Sequence, residues 1–402
     1  MNTRVSEADP VTEALHERAR RLMANGDPAA AHAALEQAVA LAPRHLPYWL
    51  SFAASLRALG RPEAELAALE RALILDPTHL VVLLQKASVL ELMDKPRSAA
   101  AIYEHALQAI RPGIQLPAPI AAHVAHAQKC VADNSARLAA LIDARLAASS
   151  LDIASTAERM RFDRCLDRVL GRRRIFTPDP TFMLFPYLMN YEYFPRENFT
   201  WLETLEAATD SIREELLAVL SNDEAGIKPY VDYDDGLPLN QWNELNHSRR
   251  WGAYFLWNQG RREEVHLARC PQTAAVLASL PQVDIAGRGP TAFFSVLDAR
   301  TRIPPHCGVT NTRLTVHLPL VVPPGCWFRV GGETREWRVG TGWVFDDTIE
   351  HEAWNNSDAP RAILIFDIWN PQLTTVERNL VRVTSEVLAQ YSAAEGFRGV
   401  AL

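Results

Sequence analysis

Apolar and polar positions along the first hundred residues recur with a fixed step of 34. Small residues occupy two sets of these positions and larger apolar residues occupy two more: Ala19, Ala53, Ala87; Ala38, Ala72, Ala106; Leu15, Trp49, Leu83; Leu35, Leu69, Tyr103. Turns ending in proline (Gly-Asp-Pro, Gly-Arg-Pro and Asp-Lys-Pro) keep the same step. Because small residues let helices approach closely and proline favours the first turn of a helix, the pattern predicts paired helices joined by short turns.

This pattern resembles the tetratricopeptide repeat, a helix–turn–helix unit of the same length that buries its apolar face only by stacking on its neighbours. We predict an all-α solenoid of about three repeats within residues 1–112. Glu65 departs from the pattern, because Ala31 and Ala99 occupy the equivalent positions. Such solenoids present a concave surface to partners. The array is expected either to dock a peptide or protein substrate, or to be a scaffold that packs on the rest of the chain or forms a dimer.

Residues 113–176 are predicted to form a helical cap or linker, with helices over 121–149 and 156–170 after a break at RPGIQLPAP. Aromatic residues and prolines then replace the alanines, which places the start of a second domain near residue 177. That domain, 177–402, is expected to begin with helices over 201–220 and 273–280.

From Phe293 onward the apolar pattern changes to period two, which is typical of strands. Six short runs carry it: AFFSVLDA, RLTVHLPLVV, CWFRVG, REWRVG, GWVFDD and RAILIFDIW. No helical pattern separates them, so a sandwich or jelly roll is predicted. The expected fold class is α+β and multidomain, with the solenoid followed by this β domain.

Composition limits the class of partner and the cellular compartment that we expect for this chain. The 402 residues carry 41 basic and 48 acidic side chains, a net charge of −7, which argues against nucleic acid as the main partner. The five cysteines are scattered without a CxxC pair, as is usual in a reducing compartment. The N-terminal residues lack the apolar core of a signal peptide, and no apolar run is long enough for a membrane span. We therefore expect a soluble cytoplasmic protein; its oligomeric state is not predictable from these features.

Two histidines stand out in the strand region. His306 and His351 are 45 residues apart, and Arg361 follows at the start of the last run. Oxygen-activating iron sites typically use two imidazoles and one carboxylate. The acidic residue would be expected two positions after the first histidine, where Gly308 stands. The first histidine is expected to lead a strand. From spacing alone, an iron site and two satisfied structural histidines both remain open.

Other potential ligands are interpreted more simply. Asp346, Asp347 and Glu350 either replace the missing acidic ligand or orient a turn and the ligands, and we favour the second interpretation. His123 and His126 lie on a predicted helix without further ligands nearby in sequence, so no zinc site is predicted there.

The segments HCGVTNTRLTVHLPL and FDDTIEHEAWN, with LWNQGRRE, CPQT and FFSVL, resemble the aspartyl/asparaginyl β-hydroxylase family over roughly residues 180–385. Members are dioxygenases that use Fe(II), 2-oxoglutarate and O2 on a double-stranded β-helix, and they also carry glycine at the vacant position. The resemblance implies that His306 and His351 hold iron, with water in the place of the acidic ligand.

The resemblance also implies roles around the iron. Arg361 would pair with the distal carboxylate of 2-oxoglutarate, with Ser295 and His317 beside it. Substrate contacts are implied for three further residues: Trp257, Gln259 and Arg313. Trp257 is equally well interpreted as a core residue, and Gln259 as part of a turn. The chain departs from the family at Thr315, where relatives often have a second arginine, so the identity of the substrate is in doubt.

The implied function is hydroxylation of the β-carbon of an Asp or Asn residue in a peptide or protein, or of a related carboxylate-bearing substrate. Three alternatives remain: hydroxylation of a lipid or small molecule, halogenation at the vacant iron position, and a non-catalytic interaction adaptor.

Overall fold

The computed structural model describes residues 9–111, 113–149, 156–222, 226–234, 240–285 and 287–394. The chain divides into two compact units, Met1–Arg172 and Arg173–Leu402. The three-part division at residues 112 and 176 remains a prediction. No helix in the described ranges is both long enough and apolar enough to cross a bilayer.

The first unit begins with six helices that pack consecutively on one another: α1 Pro10–Ala24, α2 Pro28–Leu41, α3 Leu46–Ala58, α4 Pro62–Leu75, α5 Leu80–Leu92 and α6 Pro96–Gln108. Each turn within a pair uses a residue with positive φ, namely Gly26, Gly60 and Asp94. In the first turn, the N–H groups of Gly26 and Asp27 donate to the carbonyls of Met23 and Leu22, which closes the helix C-terminus. The next two turns repeat this pattern, and proline begins the following helix each time. The structure thus confirms helical repeats of the tetratricopeptide type.

The six periodic alanines are essentially fully buried between these helices. Glu65 is buried in the same layer at 2% exposure, where its carboxylate accepts a 2.7 Å hydrogen bond from Arg57 Nε. The residue that interrupts the alanine pattern therefore forms an ion pair between neighbouring helices.

Two further helices belong to the first unit: α7 Ala118–Ala147 and α8 Thr156–Val169. The α7 helix begins three residues earlier than predicted, because Pro117 and Pro119 are tolerated at a helix start, where no internal bond needs their missing N–H. It packs on α5 and α6 and so covers the open face of the third repeat.

The second unit contains two antiparallel sheets in the described residues. Their strands are β1 Lys228–Pro229, β2 Trp251–Asn258, β3 Arg261–Arg262, β4 Ala292–Leu297, β5 Thr301–His306, β6 Arg313–Val321, β7 Cys326–Val330, β8 Glu333–Glu336, β9 Trp343–Phe345, β10 His351–Asn355 and β11 Arg361–Trp369. One sheet has the order β1-β2-β4-β11-β6-β9, with β3 on β2, and the other has the order β5-β10-β7-β8. From β4 to β11 the chain alternates between the sheets, apart from the β7–β8 hairpin. This order is compatible with the predicted jelly roll.

Five helices accompany the sheets: α9 Leu202–Ala207, α10 Thr209–Asn222, α11 Glu264–Arg269, α12 Pro271–Ala278 and α13 Thr375–Ala394. Two single 3-10 turns lie at Arg196–Asn198 and Asn240–Trp242. The single helix predicted over 201–220 was wrong, because the chain breaks at Ala208 into α9 and α10.

Five of these strands were missed and one was misplaced. β1 and β3 have two residues each, which is too few to show a period-two pattern. β5 contains Pro304 and Pro305, which weaken a strand pattern but are tolerated here because β5 is an edge strand. β2 lies before the region where the period-two pattern was sought, and β10 is short and polar. The run REWRVG forms a strand only in its first two residues, since β8 ends at Glu336.

Alternation along the strands of the larger sheet separates two faces. On one face, alternate residues of β6 and β11 pack in an apolar cluster with α9 to α12: Leu314, Val316, Leu318, Leu320, Leu364, Phe366 and Ile368. The intervening residues point between the two sheets, among them Arg313, Thr315, His317 and Arg361. The polar residues of the predicted site therefore share the face opposite the helices.

Candidate active site

The two predicted ligand histidines meet at one end of the smaller sheet. His306 is the last residue of β5 and His351 is the first of β10, and the two are paired in register. The expectation that the first histidine leads a strand was therefore wrong. Their ring centroids are 4.1 Å apart. Adjacent strand ends thus bring together two imidazoles that are distant in sequence.

Hydrogen bonds orient both rings in the same way. The Nδ1 atom of His306 lies 2.8 Å from the carbonyl oxygen of Pro304, and that of His351 lies 3.0 Å from the carbonyl oxygen of Ile349. A carbonyl only accepts, so each Nδ1 carries the proton and each Nε2 keeps its lone pair. Backbone carbonyls orient many metal-binding histidines in this way.

The surroundings keep both rings neutral. Burial, followed by the neighbouring His351, lowers the pKa of His306 to about 3. Burial also lowers the pKa of His351 to about 4, against the opposing hydrogen bond to Ile349. Neutral imidazoles with free Nε2 atoms are the form that binds a divalent transition metal, so the donor set fits an iron(II) ion.

Gly308 leaves space that another side chain uses. A Cβ atom at position 308 would overlap the carboxylate of Asp347, and the N–H of Gly308 donates a 2.7 Å hydrogen bond to the Asp347 carbonyl. An acidic residue therefore cannot replace Gly308 unless Asp347 moves. Within the described ranges, no acidic side chain joins the two histidines in a cluster whose ligand atoms all lie within 4.8 Å of one another.

The neighbouring acidic residue holds the turn between β9 and β10. Asp346 accepts hydrogen bonds from the backbone N–H and the hydroxyl of Thr348, at 2.9 and 2.6 Å. Burial nevertheless raises the pKa of Asp346 to about 6. This geometry fits the interpretation that the acidic residues orient the turn rather than replace the ligand.

A cavity of about 590 Å³ opens beside the histidines. Several predicted site residues line it together: His306, His351, Arg361, His317, Arg313 and Gln259. Ser295 is buried just behind Arg361, whose Nη1 lies 3.5 Å from the serine oxygen. The structure thus brings seven of the eight predicted site residues to one place.

Arg361 is a buried cation that no carboxylate of the described residues neutralises. It is 1% exposed, and no carboxylate in the described residues forms an ion pair with it. Its Nε atom has no hydrogen-bond partner, and its guanidinium lies over the ring of Trp337 at 4.6 Å. Burial lowers the pKa of Arg361 to about 10. A buried charge of this kind is costly unless an anion joins it, so the site is suited to a carboxylate ligand.

His317 lies between Arg361 and the aromatic wall of the cavity. Burial, and then the charge of Arg361, lowers the pKa of His317 well below its ordinary value. Its Nδ1 atom has no partner, and its ring lies 4.7 Å from that of Phe345. The ring is therefore neutral and offers one donor and one acceptor for a polar ligand.

Arg313 and Thr315 line the same cavity from β6, the strand that carries His317. The Nη1 atom of Arg313 donates to Asp367 at 2.6 Å, while its Nε atom is unpartnered. Thr315 hydrogen-bonds the carboxyl of Asp347, and burial raises the pKa of that carboxyl despite this bond and the nearby Arg313. The threonine at the position of the missing arginine therefore supports Asp347.

Trp257 is the predicted site residue that the structure places elsewhere. A register shift between Phe255 and Trp257 in β2 turns the indole into the helix-side apolar cluster. This is the core position that the sequence left open for it. Gln259 fits both of its interpretations, because it lines the cavity and also occupies a turn at φ 50°.

Arg288 is a cavity residue that the sequence did not indicate. It stacks on Phe182 at 4.1 Å, its Nε atom has no partner, and no carboxylate in the described part of the chain pairs with it. Burial, and then the proximity of Arg313, lowers its pKa. It lies in a loop between α12 and β4, where no strand or helix pattern marks its side-chain direction.

The family model described as Aspartyl/Asparaginyl beta-hydroxylase matches residues 206–371. The human aspartyl/asparaginyl beta-hydroxylase is 36% identical over 178 residues, which covers 44% of this chain and 22% of the human protein. The ornithine lipid ester-linked acyl 2-hydroxylase of Rhizobium tropici is 29% identical over 187 residues, or 46% of this chain and 62% of that protein. The chain thus spans less than two thirds of the length of these relatives.

Solved structures match the helical region. The type III secretion chaperone SycD of Yersinia enterocolitica, in complex with a peptide of the translocator YopD, gives a TM-score of 0.28 at 15% identity over 31% of this chain and 97% of that one. The Sgt2 TPR domain of Aspergillus fumigatus also gives 0.28, at 20% identity over 39% of this chain and 99% of that one.

Proposed function

Residues 206–371 carry a domain of the aspartyl/asparaginyl β-hydroxylase family, and from this premise we propose that the protein is a hydroxylase dependent on iron(II), 2-oxoglutarate and dioxygen. The observation that carries the proposal is the geometry of the cavity. Two neutral histidines present free Nε2 atoms there, and no carboxylate among the described residues forms an ion pair with the buried Arg361. An inert fold would gain nothing from an unpaired buried charge.

His306 and His351 would hold the iron through their Nε2 atoms. Iron(II) bound there would supply oxygen activation, coupled to conversion of 2-oxoglutarate to succinate and carbon dioxide. Arg361 would bind the distal carboxylate of the cosubstrate, and its contact with Ser295 and its stacking on Trp337 fix its direction. His317, neutral beside Arg361, would donate or accept one further hydrogen bond. The carboxylate of Asp347, which occupies the space beside Gly308, would orient water at the edge of the site.

The cavity also has a cationic wall for the substrate. Arg288 and Arg313 each present an unpartnered Nε atom, and Gln259 adds an amide at the rim. Guanidinium groups favour carboxylate ligands, so the preferred substrate is an Asp or Asn residue of a peptide or protein, or another carboxylate-bearing compound. The repeat array would then present the polypeptide that carries this residue.

A second candidate is hydroxylation of a lipid acyl chain. Thr315 stands where relatives often have a second arginine, and the loss of this cation weakens the match to an acidic side chain. The Rhizobium tropici relative is named for a lipid acyl 2-hydroxylation. Halogenation at the vacant position is not favoured, because the carboxylate of Asp347 occupies the space beside Gly308. A cytoplasmic location, expected from five cysteines that the structure shows unpaired, remains a prediction.

The test is succinate formation by the purified chain with iron(II), ascorbate and 2-oxoglutarate. Peptides containing Asp or Asn should stimulate it and gain the mass of one oxygen atom, whereas acyl-lipid substrates should not. The His351→Ala variant should lose this activity. Stimulation by lipids alone would favour the second candidate. Absence of turnover with every substrate, together with partner binding that survives His351→Ala, would favour a non-catalytic adaptor.

A further inference from the structure

A second cluster of potential metal ligands lies in the helical unit, far along the sequence from the two histidines of the β domain. Glu91, near the end of α5, meets His126 and Cys130 of α7. His126 and Cys130 are four residues apart and therefore share one face of the helix. Sequence spacing does not indicate a site at His126, because Glu91 lies 35 residues away along the chain. The packing of α7 on α5 brings the two side chains together.

The distances within the cluster suit a single ion. His126 Nε2 lies 2.8 Å from Glu91 Oε2, Cys130 Sγ lies 3.2 Å from Glu91 Oε1, and Cys130 Sγ lies 3.3 Å from His126 Nε2. Around tetrahedral zinc, with bonds of about 2.0–2.3 Å, such donor atoms lie roughly 3.3–3.6 Å apart. Each oxygen of the Glu91 carboxylate lies close to one of the other two donors, and one ligand atom from each side chain lies within 4.8 Å of the others, so small side-chain shifts would admit the ion.

The remaining contacts of the cluster also fit a metal site. The hydroxyl of Tyr103 donates a 2.6 Å hydrogen bond to Glu91 Oε2 and so orients the carboxylate from behind. Tyr103 is buried, whereas the side chain of His126 is 52% exposed. The cluster is thus anchored on the side of the repeats and open on the side of the solvent, which leaves a fourth position for water.

We propose that Glu91, His126 and Cys130 bind a divalent transition metal of the zinc type. One thiolate, one imidazole and one carboxylate form a donor set suited to Zn²⁺. Binding would form bonds from the metal to Sγ, Nε2 and a carboxylate oxygen. The proton of the Cys130 thiol would pass to solvent, and the Nε2 proton that His126 donates to Glu91 would be given up in exchange for a proton on Nδ1. The ion would clamp α7 onto the third repeat. The proposal is independent of the hydroxylase activity and of any metal in the β domain.

The test is a cobalt(II) titration of the full chain, kept reduced, and followed by the thiolate-to-cobalt absorption band. Only a bound cysteine produces this band, so histidines in the β domain do not contribute. We expect one equivalent of cobalt to produce it and zinc to displace it. Cys130→Ser should abolish the band, while Glu91→Gln and His126→Ala should weaken cobalt binding by about tenfold or more. The matched variants Cys165→Ser, Cys307→Ser and His123→Ala should leave it unchanged.

Two results would overturn the proposal. One is the absence of the band at millimolar cobalt in a chain whose circular dichroism shows it folded. The other is a band that survives Cys130→Ser. A second measurement covers the case in which Cys130→Ser does not fold. In the wild-type full chain, zinc should raise the unfolding temperature of the helical unit, and a chelator should reverse the rise. The His126→Ala variant, which changes a half-exposed side chain, should show no rise. An equal response in that variant would show that the cluster is only hydrogen-bonded.

Discussion

Replacing Arg361 with methionine should have opposite effects on stability and on cosubstrate binding. The guanidinium is 1% exposed and has no carboxylate partner among the described residues. Burial lowers its pKa to about 10 from an ordinary value of 12.5. Since the folded pKa lies below the unfolded one, keeping the group charged at neutral pH costs roughly 3 kcal/mol of folding free energy.

Part of that cost is offset by contacts that methionine would not reproduce. Stacking of Arg361 on Trp337 contributes about 1–2 kcal/mol in a desolvated setting, and the 3.5 Å contact with Ser295 adds little. Methionine fills a similar volume without a charge. The free energy of unfolding of the ligand-free protein should therefore rise by about 1–2 kcal/mol. Loss of a charge-assisted bond should meanwhile weaken 2-oxoglutarate by about 1.5–3 kcal/mol, or roughly 10- to 150-fold.

Urea unfolding and 2-oxoglutarate titration of the same preparations measure both quantities. Arg313→Met is the matched control, because Arg313 is also a cavity arginine but is paired with Asp367 at 2.6 Å. Its removal leaves a buried carboxylate unpaired and should destabilise the protein by about 3 kcal/mol. If Arg361→Met destabilises the ligand-free protein as Arg313→Met does, or leaves the affinity for 2-oxoglutarate unchanged, then Arg361 is a structural residue and the reasoning is refuted.

Three further predictions concern stability, each measured by chemical denaturation. Gly308→Ala should lower the free energy of unfolding by about 1–3 kcal/mol, because the new methyl group overlaps the Asp347 carboxylate. Adding Asp347→Ala should restore part of this loss. Equal stability of the single and double variants would contradict the prediction. Arg57→Ala should destabilise the chain by about 3 kcal/mol, because Glu65 stays buried without its partner. Glu65→Ala should destabilise it less. If Glu65→Ala is the more destabilising variant, the buried ion pair is contradicted. Asp346 binds a proton more readily in the folded protein, so its contribution to the free energy of unfolding should decline as pH rises from about 4 to about 6. The Asp346→Asn variant should lack this pH dependence. An unchanged pH dependence in the variant would assign it to another group.

The repeat array was predictable from sequence because its determinants are local. Turns with positive φ, proline at helix starts and buried alanines recur at one step, and each acts within a single helix pair. The buried position of Glu65 was visible only as an exception, since its partner Arg57 lies on the preceding helix. The cluster around Glu91 escaped prediction for the same reason, because periodicity does not report which side chains two packed helices bring together.

The β domain shows where period-two patterns stop being informative. Strands buried on one face, such as β6 and β11, follow the alternation and were found. Strands β5 and β10, which carry the two histidines, were not found, because proline and charged residues mask their pattern. The two histidines stood out by their type and spacing, and the family resemblance then assigned them as metal ligands. Neither the period-two pattern nor the family resemblance decided whether Trp257 faces the cavity or the core. A single register shift in β2 determines which face its side chain takes.

Crystals grown with iron(II) and an unreactive 2-oxoglutarate analogue would test the central claim, through anomalous scattering at the iron edge. We predict one peak in the β domain within bonding distance of Nε2 of both His306 and His351, no protein carboxylate bonded to it, and the distal carboxylate of the analogue paired with Arg361. A peak bonded to the Asp347 carboxylate, or rings that do not share a peak, would contradict a site built on two imidazoles alone.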